Sequence, residues 1–268
     1  MSESPLDANR LLWDELVSVH AAGGFYDLAA FRAGASTLRP IEVREVGDVK
    51  GKRLLHLQCH FGMDSISWAR RGASVVGVDF SPAAIDLARE LAREEGVAAE
   101  FVCSDIYDLP DKLVGTFDVV FTSYGVLTWL PDLDRWASVV AGYVAAEGTF
   151  YIVEQHPVGG MLEEREGRLI ASEPYFNVGP MKDESDGSYA DRDAALEHRL
   201  SFQWQHSLSD VITALTSAGL QIEFLHEFPF CSFQWLPSMV QDRDGWWGLP
   251  DRDDVPFLFS LKASRSAA

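Results

Sequence analysis

Residues 53–82 read RLLHLQCHFGMDSISWARRGASVVGVDFSP, and the order of patterns in this stretch decides the fold. Arg53–Leu57 is an apolar run of strand length, and 58–62 is a tight turn. Met63–Arg71 has helical spacing, and Ser74–Val78 is strand-like again. Ser81 followed by Pro82 opens a helix that runs to Glu95, with serine as the N-cap and proline at the first helical position. Strand, turn, helix and strand in so short a stretch make a βαβ unit with parallel strands.

Outward from this unit the alternation continues. Strands are expected at Ala99–Cys103, at Phe117–Ser123 and at Thr149–Glu154, with a helix over Leu133–Ala145. The run FDVVFTS is apolar almost throughout, as a strand covered on both faces requires. A helix over Ser207–Ala218 and strands at Gln221–His226 and Val255–Ala263 complete the pattern. The fold class is α/β, a doubly wound and mostly parallel sheet. The whole chain, 1–268, reads as one domain. In it 1–47 is an N-terminal helical lid with a helix over Leu6–Ala22. Residues 48–156 are the core, 157–205 a polar insertion or lid, and 206–268 a C-terminal helix and strands. An aromatic-rich segment, 227–250, interrupts the last part. Segments that follow strands lie beyond the carboxyl ends of a parallel sheet, where ligands bind and a pocket can be roofed.

Composition narrows the function classes. The net charge is −19 over 268 residues, and no basic run appears. Such a chain is a poor partner for phosphate backbones or anionic membranes, so a small molecule is the expected partner, with no nucleic acid and no membrane. No apolar run is long enough to span a bilayer, and the first ten residues, MSESPLDANR, lack a secretory pattern. The three cysteines are scattered, which suits the reducing cytoplasm. Oligomeric state leaves no mark in the sequence.

The chemistry is expected at the strand ends. The QCHFG turn opens a helix whose backbone N–H groups can meet a polar ligand, and Gly62 allows close approach. It is neither a dinucleotide fingerprint nor a P-loop, since Gln58 and His60 stand where glycines would and no Gly-Lys-Ser/Thr follows. Asp79, followed by Phe80, closes the second strand about 20 residues past the loop, where a carboxylate can accept from a ribose diol. Ser104, Asp105 and Ile106 close the third strand, where a carboxylate can accept from an adenine amine. Ser123, Tyr124 and Gly125 close the fourth. An Asp after a strand commonly caps the next helix, so each signal alone is ambiguous; the register of all four is not.

LLHLQCHFG, GVDFSPAAIDLAREL, SDIYDLP, FDVVFTSYGVLTWLPDL and EGTFYIVEQHP resemble, in order, the motifs of class I S-adenosylmethionine (SAM)-dependent methyltransferases, over about residues 50–157. The chain is similar to a bacterial subset with the LQCHFG form. The resemblance implies a seven-stranded Rossmann-like sheet whose last strand is antiparallel, and S-adenosyl-L-methionine as cofactor with S-adenosyl-L-homocysteine as product. It implies that the Gln58–Gly62 loop meets the methionine part, Asp79 the ribose, and Asp105 with Ile106 the adenine. Tyr124 and its neighbours would face the sulfonium and the acceptor. The usual first motif has an acidic residue in strand one and glycines at the first two loop positions; here His56, Gln58 and His60 stand instead.

Methyl transfer requires a base only for a protonated acceptor. Glu154, His156, His20 and His206 are candidates. Alternation sends Glu154 and His156 to one side, and His156, Glu154 and Tyr124 are the expected catalytic set. His20 is expected at an exposed helix position. Tyr26, Trp129 and His156 are expected against the acceptor. Trp13 and Tyr26 are expected over the cofactor, and Trp204, Trp235, Tyr175 and Tyr189 are further possible walls. Cys59, His60 and His56 match no zinc spacing. Two other readings compete: a nucleotide-dependent oxidoreductase, and a SAM-binding protein of weak activity that acts as sensor or partner.

Overall fold

The computed structural model describes residues 4–184 and 186–265. The chain opens with helices α1 (Pro5–Ala22), α2 (Leu28–Arg32) and α3 (Pro40–Val46). The alternating core follows: β1 (Arg53–Leu57), α4 (Met63–Arg70), β2 (Ser74–Asp79), α5 (Pro82–Glu95), β3 (Ala99–Cys103), β4 (Phe117–Ser123), α6 (Leu133–Tyr143) and β5 (Val144–Gln155). Then come α7 (Pro157–Met161), the hairpin β6 (Leu162–Arg165) with β7 (Arg168–Ala171), and the pair β8 (Met181–Glu184) with β9 (Leu200–Gln203). Helix α8 (Leu208–Ser217) leads into β10 (Gln221–Phe228). A small sheet of β11 (Phe230–Cys231), β12 (Val240–Gln241) and β13 (Trp247–Gly248) precedes β14 (Leu258–Ser264).

The main sheet has seven strands in the order β10-β14-β5-β4-β1-β2-β3. Strands β1 to β5 are parallel, and β14 runs antiparallel to both β5 and β10. The last strand is therefore the antiparallel one, as the resemblance implies. Both faces are covered. Leu55, Val120, Phe150 and Ile152 pack against Trp136 and Val140 of α6 and Leu215 of α8. Leu54, Val75, Phe121 and Tyr151 pack on the other face against Trp68 of α4 and Ile41 of α3. Trp68 and Trp136 are fully buried, and truncation of such a ring typically costs about 3–5 kcal/mol.

Local signals set most element ends. Ser81 accepts from Ala84 N at 3.0 Å, and Gly96 closes α5 in the left-handed conformation. Three expectations are corrected. Helix α6 stops at Tyr143, because β5 starts at Val144 and passes through an irregularity near Gly148, where a side chain would meet Phe117 O at 2.9 Å. Strand β14 begins at Leu258 rather than Val255. The 157–205 segment, polar and irregular by its sequence, holds a short helix and two strand pairs. Among the described residues no helix is long and apolar enough to cross a membrane.

Candidate active site

A cavity of about 740 Å³ opens at the carboxyl ends of β1 to β4. In a sheet of this order the direction of winding reverses between β1 and β4, and ligands bind at that crevice. Gln58, after β1, reaches across it: its Nε2 donates to Val126 O, after β4, at 3.2 Å. Its Oε1 is buried and has no partner among the described residues.

The structure brings most of the sequence-predicted residues into this cavity. Gln58, His60, Gly62, Asp79, Phe80, Ser104, Asp105, Ile106, Ser123, Tyr124, Tyr26 and Trp129 all line it. The loop keeps the backbone of the glycines it lacks: φ is +56° at Gln58 and +50° at His60, and Tyr124 is at +45°. Such conformations cost roughly 1–3 kcal/mol each in non-glycine residues and cluster at functional sites. Of seven positive-φ non-glycine residues among those described, four (Asp27, Gln58, His60 and Tyr124) line this cavity.

Asp79 binds the turn together. Its Oδ2 accepts from His60 N at 2.8 Å and its Oδ1 from Ser81 N at 3.0 Å. Burial lifts its carboxyl to about 6, against the pull of the backbone N–H groups that it accepts. Burial also raises Asp105, whose Oδ1 accepts from Tyr107 N. Gly62 is not a free donor; its N–H is taken by Cys59 O at 2.9 Å.

The floor near Tyr124 holds residues that sequence reasoning missed. Tyr124 donates to Glu42 Oε2 at 2.9 Å, and Arg39 N donates to Glu42 Oε1 at 2.7 Å. Asp64 accepts from Thr37 through Oδ1 and from Ser123 through Oδ2, at 2.5 and 3.0 Å. His56 contacts Ser65 and Ser123, and burial drives its imidazole down to about 4. Pro40 stands at the first position of α3, but nothing in that short helix marks Glu42 as buried.

Glu42 gives a test by pH. Burial, with help from Asp64, raises its carboxyl from 4.5 to about 7. The folded state thus holds this proton more tightly than the unfolded chain. The associated stability is full below about pH 4.5 and is lost as pH rises through about 7. In Glu42→Gln the amide can keep both contacts without charge. Its thermal or urea stability is expected to match wild type near pH 5 and to exceed it by on the order of 2 kcal/mol near pH 8.5. Equal stability at both pH values would refute the account of Glu42.

Two expected catalytic residues lie elsewhere. Glu154 is buried beneath the loop after β4, and its carboxylate accepts the N–H groups of Gly125, Val126, Leu127 and Gln155. His156 pairs with Glu227 Oε1 at 2.8 Å and accepts from Val158 N through Nδ1. Both line a separate cavity of about 420 Å³, and so do Trp204, Trp235 and His206. Alternation along β5 does keep Glu154 and His156 on one side, but Gln155 is the residue turned to the larger cavity. His206 is bound to Leu130 O, and Tyr175 accepts from Leu208 N. His20 is also corrected. It is fully buried, not exposed, and contacts His60.

The roof comes from the N-terminal and inserted segments. Trp13, Tyr26, Phe31, Tyr189, Gln203 and Phe233 all line the cavity. These segments are tied to one another: Asn9 exchanges two hydrogen bonds of 2.8 Å with the backbone of Phe202, and Glu15 accepts from the N–H groups of Glu197 and His198. Arg39 stacks 4.4 Å over Trp246 and donates to Ser232 O and Gly245 O.

Comparison with known proteins agrees with this geometry. Residues 54–148 match a family described as a methyltransferase domain. The ubiquinone biosynthesis O-methyltransferase of Hahella chejuensis is 38% identical over 99 residues, 37% of this chain and 40% of that protein. The magnesium-protoporphyrin O-methyltransferase of Rhodobacter capsulatus is 32% identical over 106 residues, 39% of this chain and 46% of that protein. The chain thus spans less than half the length of these curated relatives. A solved S-adenosylmethionine dependent methyltransferase from Mesorhizobium loti superposes with a TM-score of 0.62 at 22% identity, covering 87% of this chain and 100% of that one. Residues 54–148 thus match a methyltransferase domain family, and the chain shares its fold with this solved S-adenosylmethionine dependent methyltransferase.

Proposed function

We propose that this protein transfers the methyl group of SAM to a small-molecule acceptor in the cytoplasm, releasing S-adenosyl-L-homocysteine. The observation that carries the reading is the delivery of polar groups from four successive parallel strand ends to one cavity. The residues present fit the cofactor. The lining holds five aspartates and a single arginine, a setting that favours a cationic sulfonium. Gln58 Oε1 lacks the donor that an ammonium group would supply. In this reading Asp79 accepts from the ribose hydroxyls, and Phe80, Ser104, Asp105 and Ile106 hold the adenine. The Gln58–Gly62 loop holds the methionine portion, and Tyr26 covers it. Trp129 and Tyr124 border the acceptor.

When bound, SAM supplies a methyl group already activated on sulfur. The protein's task is alignment and exclusion of water. Glu154 and His156, engaged elsewhere, take no part as bases. Tyr124, anchored by Glu42, fixes the wall against which an acceptor is oriented. A net charge of −19 argues for a small acceptor rather than a nucleic acid or an anionic membrane surface.

Calorimetry with SAM, S-adenosyl-L-homocysteine and NAD tests this. Micromolar binding of the first two is expected and none of NAD. Asp79→Ala should weaken SAM by about 100-fold, the loss expected when charge-assisted hydrogen bonds to a diol disappear. Absence of binding at millimolar SAM would overturn the assignment.

A further inference from the structure

We infer that Ser188 and His20 are positioning residues that fix His60 in its Nδ1–H tautomer, so that the loop after β1 presents a neutral donor to the carboxylate of the bound cofactor. The inference rests on the SAM reading above. It starts from a chain of hydrogen bonds running from the inserted segment through α1 to the loop. Ser188 Oγ contacts His20 Nε2 at 3.2 Å, and His20 Nδ1 contacts His60 Nε2 at 3.0 Å.

The direction of that chain is determined at its far end. Ser188 Oγ accepts the N–H of Ala190 and the N–H of Asp191, both at 3.1 Å. A hydroxyl has two acceptor positions and one proton. With both positions filled, Ser188 donates, and His20 Nε2 must accept. A neutral imidazole that accepts at one nitrogen carries its proton on the other. His20 therefore donates from Nδ1, His60 Nε2 accepts, and the proton of His60 lies on Nδ1. Both rings are held neutral in this setting: burial brings His20 down to about 4, and burial with the neighbouring His20 holds His60 well below its usual range.

His60 Nδ1 has no protein hydrogen-bond partner among the described residues, and it is not among the sealed side-chain atoms that lack one. The residue lines the cavity, with Trp13 and Tyr26 edge-on to its ring at centroid distances of 5.3 and 5.6 Å. The tautomer decides which end of an amino acid this position takes. An Nε2–H ring would offer its Nδ1 lone pair to an ammonium. The Nδ1–H ring offers a donor, which suits a carboxylate. In a lining with five aspartates and one arginine, a ligand carboxylate needs such donors.

The test uses the full chain with ¹⁵N-labelled histidine and two probes. S-adenosyl-L-homocysteine carries the amino-acid end, and 5′-methylthioadenosine lacks it. Wild-type His60 is expected to show protonated Nδ1. Ser188→Ala should give a tautomer mixture at His60 and weaken the homocysteine ligand by about tenfold, with methylthioadenosine unchanged. Ser188→Thr, which keeps the hydroxyl, should restore both. Three results would overturn the inference: wild-type His60 protonated at Nε2, equal losses for both ligands (Ser188 as a structural prop), or no loss for either in Ser188→Ala. If the wild type binds neither ligand, the cofactor reading falls and the carboxylate assignment with it. The histidine spectrum separates that failure from a failure of the tautomer chain.

Discussion

Glu154→Ala is expected to lower stability by about 3–5 kcal/mol and to abolish binding of SAM. The carboxylate is a scaffold for the β4 loop. It accepts Val126 N at 2.7 Å and Leu127 N at 3.0 Å through Oε2, and Gly125 N and Gln155 N through Oε1. The residue is 4% exposed, and its two oxygens are the acceptors for all four N–H groups. Removal would strand several buried N–H groups, each worth about 1–3 kcal/mol when unpaired, with partial relaxation keeping the total below their sum. The same loop carries Tyr124 and the Val126 carbonyl that holds Gln58, so the cavity would lose its shape along with its support. Glu154→Gln should be nearly as harmful, because its NH₂ faces N–H groups whichever way the amide turns. Urea unfolding paired with calorimetry checks both. A change under about 1 kcal/mol in Glu154→Ala would sink this view of the residue.

Gly62→Ala is the second large effect. A Cβ there would stand 2.6 Å from Phe101 Cε1, 2.8 Å from its Cζ and 3.0 Å from Ala88 Cβ. The ring cannot retreat towards β2, since a Cβ at Gly77 would meet the same ring at 2.6 Å. Phe101 is thus held in a slot between two glycines, and it is 6% exposed. A left-handed backbone at φ +75° adds to the strain of any side chain. The expected loss is about 3–4 kcal/mol. Gly62→Ala combined with Phe101→Leu should recover part of it, and a double-mutant cycle by urea unfolding measures the coupling. Additive losses in the double variant would show that Phe101 is not the cause.

The layout of the core was legible because each element carries its own local signal: apolar runs for β1 to β4, and Ser81 with Pro82 for α5. The cavity lining at the strand ends was legible for the same reason, since Asp79, Asp105 and Tyr124 lie at or just past the ends of β2, β3 and β4. What escaped depends on contacts between distant segments. His20 was placed at the surface because α1 alone does not show that Ser188 and His60 enclose it. Glu42 and Asp64 carry no motif; the burial of Glu42 and the contact of Asp64 with Ser123 follow from how α3 and α4 meet the β4 end. Glu154 was expected at the site; strand parity brings its neighbour Gln155 to the larger cavity, because what covers each side of β5 depends on distant segments.

The left-handed backbone at 58, 60 and 124 also bears on how the site can be rebuilt. Glycine at any of these positions asks for no new chain path, because the chain already follows one that glycine prefers. Three side chains can be pared away while the turns beneath them keep their course. This makes the cavity a ready chassis for a hole-to-bump redesign, in which the room left by a removed side chain admits a ligand analogue too bulky for the natural cavity.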